Sequence, residues 1–205
     1  MSKPGLILIG AGGHARACID VIEQHGQFEI AGLVGTANEL HTRQLGYEVI
    51  ATDDQLAELA GRYRHALVTV GQIHSPTLRM RMFEQALRLG FDLPVIVAPS
   101  AHVSRHATIG AGSVVMHGAI VNAAAQVGRN CILNTRALVE HDAVVGDHCH
   151  VSTGAILNGG VQLGAGSFVG SAGVVTQGLR LGEQSIIGMG LAVRHDQPDH
   201  AKFLG

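Results

Sequence analysis

The chain has few aromatic side chains and almost no net charge. It contains 205 residues and no Trp; aromatic residues make up 3%, and the formal net charge at pH 7 is −2. Proteins that bind single-stranded nucleic acid stack bases on aromatic rings, and those that bind nucleic acid or anionic membrane surfaces concentrate positive charge. The composition therefore argues against both kinds of partner, and we predict no nucleic acid and no membrane partner.

Long apolar runs and a disulfide framework are also missing. Three Cys residues are too few for a disulfide-stapled fold. No secretory signal is visible, and no apolar stretch is long enough to span a bilayer. We expect a cytoplasmic protein, in which Cys131 and Cys149 serve as two small interior side chains.

An aliphatic residue recurs at every sixth position through the second half of the chain. Neither a helix nor an ordinary strand has this period, whereas each side of a parallel β-helix is six residues long. The series predicts a β-helix of hexapeptide repeats over residues 94–193. Its seventeen members are Val97, Val103, Ile109, Val115, Val121, Val127, Leu133, Val139, Val145, Val151, Leu157, Leu163, Val169, Val175, Leu181, Ile187 and Val193.

A second column and a set of glycines support this fold. Small residues such as Ala119, Cys131 and Ala143 follow four positions after the aliphatic ones. Glycines such as Gly110 and Gly146 recur beside the corners, where we expect them to permit tight turns. Three sides make one coil, so residues 18 apart in sequence should stack at about the 4.8 Å spacing of strands.

Residues 1–93 have a different pattern, in which short apolar strands alternate with helical segments. This alternation predicts a small α/β, Rossmann-like domain with a parallel sheet. Strands are expected at 6–9, 30–34, 47–51 and 66–70, and helices after Gly13, over 55–63 and over 77–89. From Arg194 the six-residue period breaks, so residues 194–205 are interpreted as a short C-terminal tail.

The segment Gly10–Ala15 follows the first strand and opens a helix. It has the Gly-x-Gly-x-x-Ala form of a dinucleotide fingerprint, in which backbone amides approach a pyrophosphate. The acid expected at the end of the second strand is absent, because Gly35 and Thr36 stand there, and this counts against NAD. A phosphate or nucleotide site and a purely structural turn both remain open.

The coil arithmetic singles out one histidine. Residues 18 apart stack on one another. His141 and Asp142 therefore lie between Ala123 and Ala124 of the preceding coil and Gly159 and Gly160 of the following coil. A His–carboxylate pair on a wall stripped of side chains is typical of a cleft that admits a substrate. A histidine with a neighbouring acid can act as a general base near neutral pH.

The chain resembles the NeuD/PglD-type sugar acyltransferases. The resemblance spans nearly the whole sequence and rests on Gly10–His14, Asn134–Asp142, His150–Ser152 and the six-residue period. It implies a left-handed β-helix, a homotrimer, and acetyl-CoA, the acetyl donor, in the cleft between neighbouring subunits. We expect no metal cofactor.

The resemblance assigns roles to particular residues. It makes His141 the general base and Asp142 the acid that raises its basicity; Glu140 is an alternative for the acid. It places His150 and the Gly159 amide at the acetyl-CoA site, with the amide on the acetyl carbonyl. In the first domain, it assigns Gly12, Gly13 and His14 to the sugar nucleotide.

The expected activity is acetyl-CoA-dependent N-acetylation of a nucleotide-linked 4-amino-4,6-dideoxy sugar, by direct transfer in a ternary complex. O-acetylation of a sialic-acid-like sugar is the alternative. A metal-dependent hydratase would need ligands from among His117, His141, His148 and His150, whose spacing forms no convincing set of three. A non-enzymatic scaffold would leave the first-domain loop unexplained.

Overall fold

The computed structural model describes residues 3–205, which form two compact units. The first unit runs to Gly71 and includes Thr77–Ile96. The second comprises Gln72–Pro76 and Val97–Gly205. The short segment Gln72–Pro76 therefore belongs with the repeats, which a sequence boundary at residue 93 does not anticipate.

The first unit is built on a five-stranded sheet with strand order β3-β4-β2-β1-β5. All neighbouring strands are parallel except the β3–β4 pair. Its elements are β1 (Gly5–Ile9), α1 (Gly13–His25), β2 (Glu29–Gly35), β3 (Arg43–Gln44), β4 (Tyr47–Thr52), α2 (Leu56–Ala60), β5 (His65–Val68) and α3 (Thr77–Arg88), with 3-10 turns at Ala37–Glu39 and Asp53–Gln55. Within the described part of the chain, no helix combines the length and apolarity needed to cross a membrane.

Local signals account for two of these boundaries, the end of α1 and the start of α2. Helix α1 ends at Gly26, whose φ of 72° gives the left-handed cap typical of a glycine after a helix. The helix expected over 55–63 is shorter. It is preceded by the 3-10 turn Asp53–Gln55, in which Gln55 Oε1 accepts a hydrogen bond from Thr52 N. This cap uses residue 55 as the last residue of the turn, so α2 begins at Leu56.

The second unit is a parallel β-helix with three faces, as the six-residue period predicts. Face 1 contains β7 (His102–Val103), β10 (Ile120–Val121), β13 (Leu138–Val139), β16 (Ile156–Leu157), β19 (Val174–Val175) and β22 (Ala192–Val193). Face 2 contains β8 (Thr108–Ile109), β11 (Gln126–Val127), β14 (Val144–Val145), β17 (Gln162–Leu163) and β20 (Arg180–Leu181). Face 3 contains β6 (Ile96–Val97), β9 (Val114–Val115), β12 (Ile132–Leu133), β15 (His150–Val151), β18 (Phe168–Val169), β21 (Ile186–Ile187) and β23 (Lys202–Phe203).

Residues 18 apart in sequence pair along each face, as Val121 does with Val139. In each strand the second residue points into the helix, and from Val115 to Val193 these aliphatic side chains are at most 4% exposed. Their burial removes apolar surface from water along the whole axis, which is the main favourable contribution to the free energy of folding. The strand residues that precede them point away from this interior.

Small polar side chains inside the helix connect one coil to the next. Cys131 Sγ donates to Gly146 O at 3.1 Å, and Cys149 Sγ donates to Gly164 O at 3.1 Å. Ser167, which occupies the same column, donates through its hydroxyl to Gly182 O at 3.0 Å. These thiols and hydroxyls supply hydrogen bonds to buried corner carbonyls, which would cost free energy if left without a partner.

The corner glycines serve close packing rather than tight turning, which corrects the sequence interpretation of Gly110 and Gly146. A Cβ built on Gly146 would lie 2.7 Å from Ala165 N in the next coil, and one on Gly110 would lie 2.6 Å from Gly128 C. The left-handed residue of each turn lies at another position, which is held by residues such as Gly160 (φ 68°) and Asp142 (φ 61°).

Part of the segment expected to be a tail continues the β-helix. Lys202–Phe203 pairs with β21 on face 3, and Gln197 forms a bridge with Leu181 on face 2. Residues after Arg194 thus lack the six-residue period but still extend faces 2 and 3 of the β-helix.

The close approach at the corners makes a direct prediction for stability. Gly146→Ala should lower the free energy of unfolding by about 1–3 kcal/mol, because the added methyl group meets the backbone of the next coil. Chemical denaturation would measure the change. Gly61→Ala is the control, since Gly61 has right-handed helical φ and ψ and its added Cβ would lie no closer than 3.5 Å to any neighbour. Equal stability of the two variants would contradict the packing argument.

Candidate active site

His141 and Asp142 lie on the corner between faces 1 and 2, immediately after β13. His141 Nδ1 donates to Asp142 Oδ2 at 2.8 Å, and the two side chains are 65% and 67% exposed. Since a carboxylate only accepts hydrogen bonds, the shared proton is on Nδ1 and the neutral ring carries its lone pair on Nε2. A lone pair on Nε2 of a largely exposed ring is what a general base requires.

The surface beside this imidazole is formed by glycines without side chains, as the 18-residue spacing predicts. A Cβ built on Gly159 would lie 2.8 Å from both Cε1 and Nε2 of His141, so the ring rests directly against the Gly159 backbone. His141, Asp142, Gly159, Gly160, Gln177 and Gly178 line one shallow depression. The structure therefore brings together three of the predicted site residues, His141, Asp142 and Gly159.

Asp142, rather than Glu140, is the acid that holds the ring. The Glu140 carboxylate accepts from Asn122 Nδ2 at 2.9 Å and from the His141 backbone N at 3.2 Å. The hydrogen bond that His141 donates to Asp142 raises the pKa of His141, against a smaller lowering by desolvation, and the charges of Asp142 and Glu140 raise it further. The two carboxylates thus stabilise the protonated imidazole that forms when the base takes a proton.

His150 lies on face 3 and lines a different depression from His141. Only 6% of it is exposed. Its Nδ1 donates to Gln72 O at 2.5 Å, and Asn134 Nδ2 donates to its Nε2 at 3.1 Å. The Asn134 amide is oriented independently, because its Oδ1 accepts from Thr135 N at 2.8 Å.

These bonds define His150 as a neutral ring with both nitrogens engaged. Its ring edge also packs against Phe168, with the centroids 5.2 Å apart. One chain therefore does not bring His150 together with His141. The predicted contact of His150 with acetyl-CoA remains a prediction, and within the chain the ring fixes the segment that begins at Gln72.

The depression beside His150 is an apolar groove with a basic end. Phe168, Ile186, Met189 and Leu204 provide its apolar surface, and Met189 and Leu204 are 79% and 63% exposed. At one end it adjoins a second depression, which is lined by His74, His200 and Lys202 among others. The groove thus offers apolar surface to a flexible chain and positive charge to phosphate groups.

In the first unit, the predicted loop ends β1 and opens α1. Gly12 is the N-cap of α1, and a Cβ on Gly12 would meet nothing within 4 Å. The first turn of α1 carries no acidic residue, so the positive end of the helix dipole is not neutralised locally. Gly10 has a φ of 120° and its added Cβ would lie 2.9 Å from Val70 N, so only glycine fits there.

His14 follows this loop and contacts a buried thiol. Cys18 Sγ lies 3.4 Å from His14 Nε2. Burial raises the pKa of Cys18 to about 12, with a smaller opposing effect of the Arg79 charge, so the thiol keeps its proton and can donate it. The structure places Gly12, Gly13 and His14 at the start of α1, as the motif predicts. Their part in substrate binding stays a prediction.

One acidic residue in the first unit was not predicted from the sequence. The acid absent at the end of β2 is supplied by Glu39, whose Oε2 accepts from Thr36 N at 2.9 Å and Thr36 Oγ1 at 2.9 Å. The signal was present in the sequence, since Thr36 and Glu39 have the Thr-x-x-Glu spacing of a capping box.

The histidines considered as metal ligands have separate partners. His117 pairs with Ser100, and His148 with Asn130, while His141 and His150 bond as described. Over residues 3–205, no three or more His, Cys, Asp or Glu side chains are grouped as a metal site.

Comparisons with known proteins identify the relatives of this chain. The family model of the PglD N-terminal domain matches residues 5–86. The solved structure of a perosamine N-acetyltransferase from Caulobacter crescentus, in complex with CoA and GDP-perosamine, is 33% identical, with a TM-score of 0.89 and coverage of 97% of this chain and 92% of that one. Curated protein sequences give no match.

Two further solved structures are similar to this chain. The acetyltransferase domain of PglB from Neisseria gonorrhoeae, in complex with acetyl coenzyme A, is 32% identical, with a TM-score of 0.88 and coverage of 97% of this chain and 95% of that one. WeeI from Acinetobacter baumannii is 15% identical with a TM-score of 0.70, over 92% of this chain and 94% of that one, and shares the fold.

Fold and comparisons together define a left-handed β-helix acyltransferase with a small N-terminal α/β domain. The chain belongs to the PglD-type sugar acyltransferase family. The predicted family, fold class and enzyme class are thereby confirmed.

The His141–Asp142 hydrogen bond can be tested by titration. Asp142→Asn should lower the pKa of His141, because a neutral amide no longer stabilises the imidazolium. NMR of the imidazole Cε1 resonance as a function of pH would measure the change. Glu140→Gln is the control and should lower the pKa less, since Glu140 acts through its charge alone. A larger effect of Glu140→Gln would make Glu140 the main partner.

Proposed function

We propose that the protein transfers an acetyl group from acetyl-CoA to the amino group of a nucleotide-linked 4-amino-4,6-dideoxy sugar. The observation that carries the proposal is the His141–Asp142 pair, which is set against the bare backbone of Gly159. Support comes from a relative, 33% identical, whose structure holds CoA and GDP-perosamine. A cytoplasmic location remains a prediction.

In the proposed mechanism His141 acts as the general base. The amine nitrogen attacks the thioester carbonyl carbon and a C–N bond forms, while His141 Nε2 takes the amine proton. Asp142 holds the ring through Nδ1 and stabilises the resulting imidazolium. The Gly159 amide donates to the carbonyl oxygen as it gains negative charge. The C–S bond then breaks, and His141 returns the proton to the leaving sulfur, so no acyl-enzyme is needed.

The donor is proposed to occupy the face 3 groove. Phe168, Ile186 and Met189 suit the flexible apolar part of the pantetheine arm. Lys202 and the neighbouring histidines suit the phosphates of the CoA nucleotide. In this arrangement His150 shapes the groove by anchoring Gln72.

The acceptor is proposed to bind the first unit through its diphosphate. The Gly12 and Gly13 amides at the start of α1 would hold the diphosphate, with His14 beside it. This site is the reason to favour a nucleotide-linked amino sugar over a free sialic-acid-like sugar, which has no diphosphate to bind.

A second copy of the chain is needed to complete the site. His141 and the donor groove lie on different sides of the β-helix, in separate depressions. Face 1, which leads into the His141 corner, presents the outward residues Ile120, Leu138, Ile156 and Val174, and Ile120 is 39% exposed. We propose that this apolar stripe packs against a neighbouring subunit in a homotrimer, which brings His141 to the neighbour's groove.

The proposed reaction predicts a strong effect at His141. With UDP- and GDP-linked 4-amino-4,6-dideoxy sugars and acetyl-CoA, His141→Ala should lower kcat by on the order of 100-fold or more, because the amine proton loses its acceptor. A thiol-release assay would measure kcat, and the affinity for acetyl-CoA should be largely kept. His25→Ala, which removes a histidine at the C-terminal end of α1, at the opposite end of that helix from Gly12 and Gly13, should leave kcat unchanged.

The same assay on free sialic acids separates the two acceptor classes. Turnover of sialic acid alone would replace the proposed activity with O-acetylation. An unchanged kcat in His141→Ala would remove His141 from the mechanism.

A further inference from the structure

A carboxylate lies beside the end of β2, although no acidic residue occurs at that point in the sequence. β2 ends at Gly35, and the chain turns through Ala37–Glu39. This turn folds Glu39 back so that one oxygen, Oε2, accepts both hydrogen bonds from Thr36. The other oxygen, Oε1, is not used by this cap.

The glycine at position 35 makes room for this carboxylate beside the phosphate-binding loop. A Cβ built on Gly35 would lie 2.9 Å from Glu39 Oε2 and 3.3 Å from the Ala11 Cβ. Ala11 belongs to the loop between β1 and α1, so Gly35 lies between the loop and the carboxylate. A larger residue at position 35 would displace Glu39 from this position.

In α/β domains that bind nucleotides across the ends of neighbouring strands, an acid after the second strand accepts a hydrogen bond from the ribose 2′-hydroxyl. Here β1 and β2 are parallel neighbours, and the Gly10 amide donates to Val34 O at 2.8 Å, which ties the loop to the end of β2. Glu39 is therefore in reach of a ribose whose diphosphate is held by the start of α1.

We propose that Glu39 binds the ribose 2′-hydroxyl of the acceptor, so that the enzyme uses ribonucleoside diphosphate sugars in preference to 2′-deoxyribonucleoside ones. The inference rests on the proposed function, because it assumes that the first unit binds a nucleotide. The inference specifies the sugar of the nucleotide, a ribose, and does not specify the base.

Equilibrium binding of nucleoside diphosphates tests this role without acetyl transfer. Calorimetry with UDP, GDP and their 2′-deoxy forms should show that the protein binds the preferred ribonucleotide roughly tenfold more tightly than its 2′-deoxy form, as expected for a hydrogen bond to a charged group. Glu39→Gln and Glu39→Ala should each weaken binding of the ribonucleotide and leave binding of the deoxynucleotide unchanged, so the ratio approaches one.

The second 3-10 turn of the unit offers a matched control. Gln55 caps Thr52 as Glu39 caps Thr36, with Gln55 Oε1 3.0 Å from Thr52 N. Gln55→Ala should keep the preference for ribonucleotides. If it also lost this preference, the effect of the Glu39 variants would reflect a general loss of order at the ends of the strands. Thermal unfolding of Glu39→Gln should match that of the parent protein.

The outcomes separate this inference from the proposed function. If the ribonucleotides bind and their advantage over the deoxy forms survives in Glu39→Gln, the assignment of Glu39 is wrong while the proposed activity stands. If neither form of either nucleotide binds, the inference is overturned. Absence of acetyl transfer to every nucleotide-linked amino sugar tested would overturn the proposed function instead.

Discussion

The stacking of one 18-residue coil directly on the next determines where chemical groups can lie in the second unit. Backbone pairing holds Val121 opposite Val139, and every other column follows the same register. The corners approach so closely that Gly146 has no room for a Cβ. Such a rigid wall holds the His141 ring against the Gly159 backbone, which a flexible loop could not do. The chemistry of the site depends on this fixed backbone-to-ring contact.

The same constraint gives two histidines different roles. His141 occupies an outward corner, is mostly exposed, and has a carboxylate on Nδ1 that raises its pKa. His150 occupies a strand on another face, is almost fully buried, and has a carbonyl and an amide on its two nitrogens. The first can accept a proton from a substrate, and the second is engaged in holding the chain. Because the two lie on different sides of the β-helix, the proposed reaction requires a neighbour.

The six-residue period predicted the core and the stacking of coils, which depend on residues close in sequence. It did not predict contacts between segments that are far apart in sequence. The aliphatic column from Val97 to Val193 was enough to locate the core, and counting by 18 was enough to bring Gly159 beside His141. The partner of His150 could not be found in this way, since Gln72 is 78 residues away in sequence and lies outside the repeats. The fold-back of Glu39 could have been found from its Thr-x-x-Glu spacing. The reason why position 146 is a glycine could not have been found from the sequence, because close packing between coils and a left-handed turn both favour glycine.

The central claim, that base and donor groove come from different subunits, can be tested by mixing two inactive variants. His141→Ala removes the base, and Ser171→Trp, at an exposed residue beside the groove, blocks the donor. If the site lies between subunits, random mixing at equal amounts should restore about a quarter of the parental activity, since half of the subunits supply each part. As a control, mixing the parent chain with the double variant should also give about a quarter, against about a half if each chain carries a complete site. Recovery of activity in the first mixture would support the shared site. No recovery, together with half activity in the control, would contradict it.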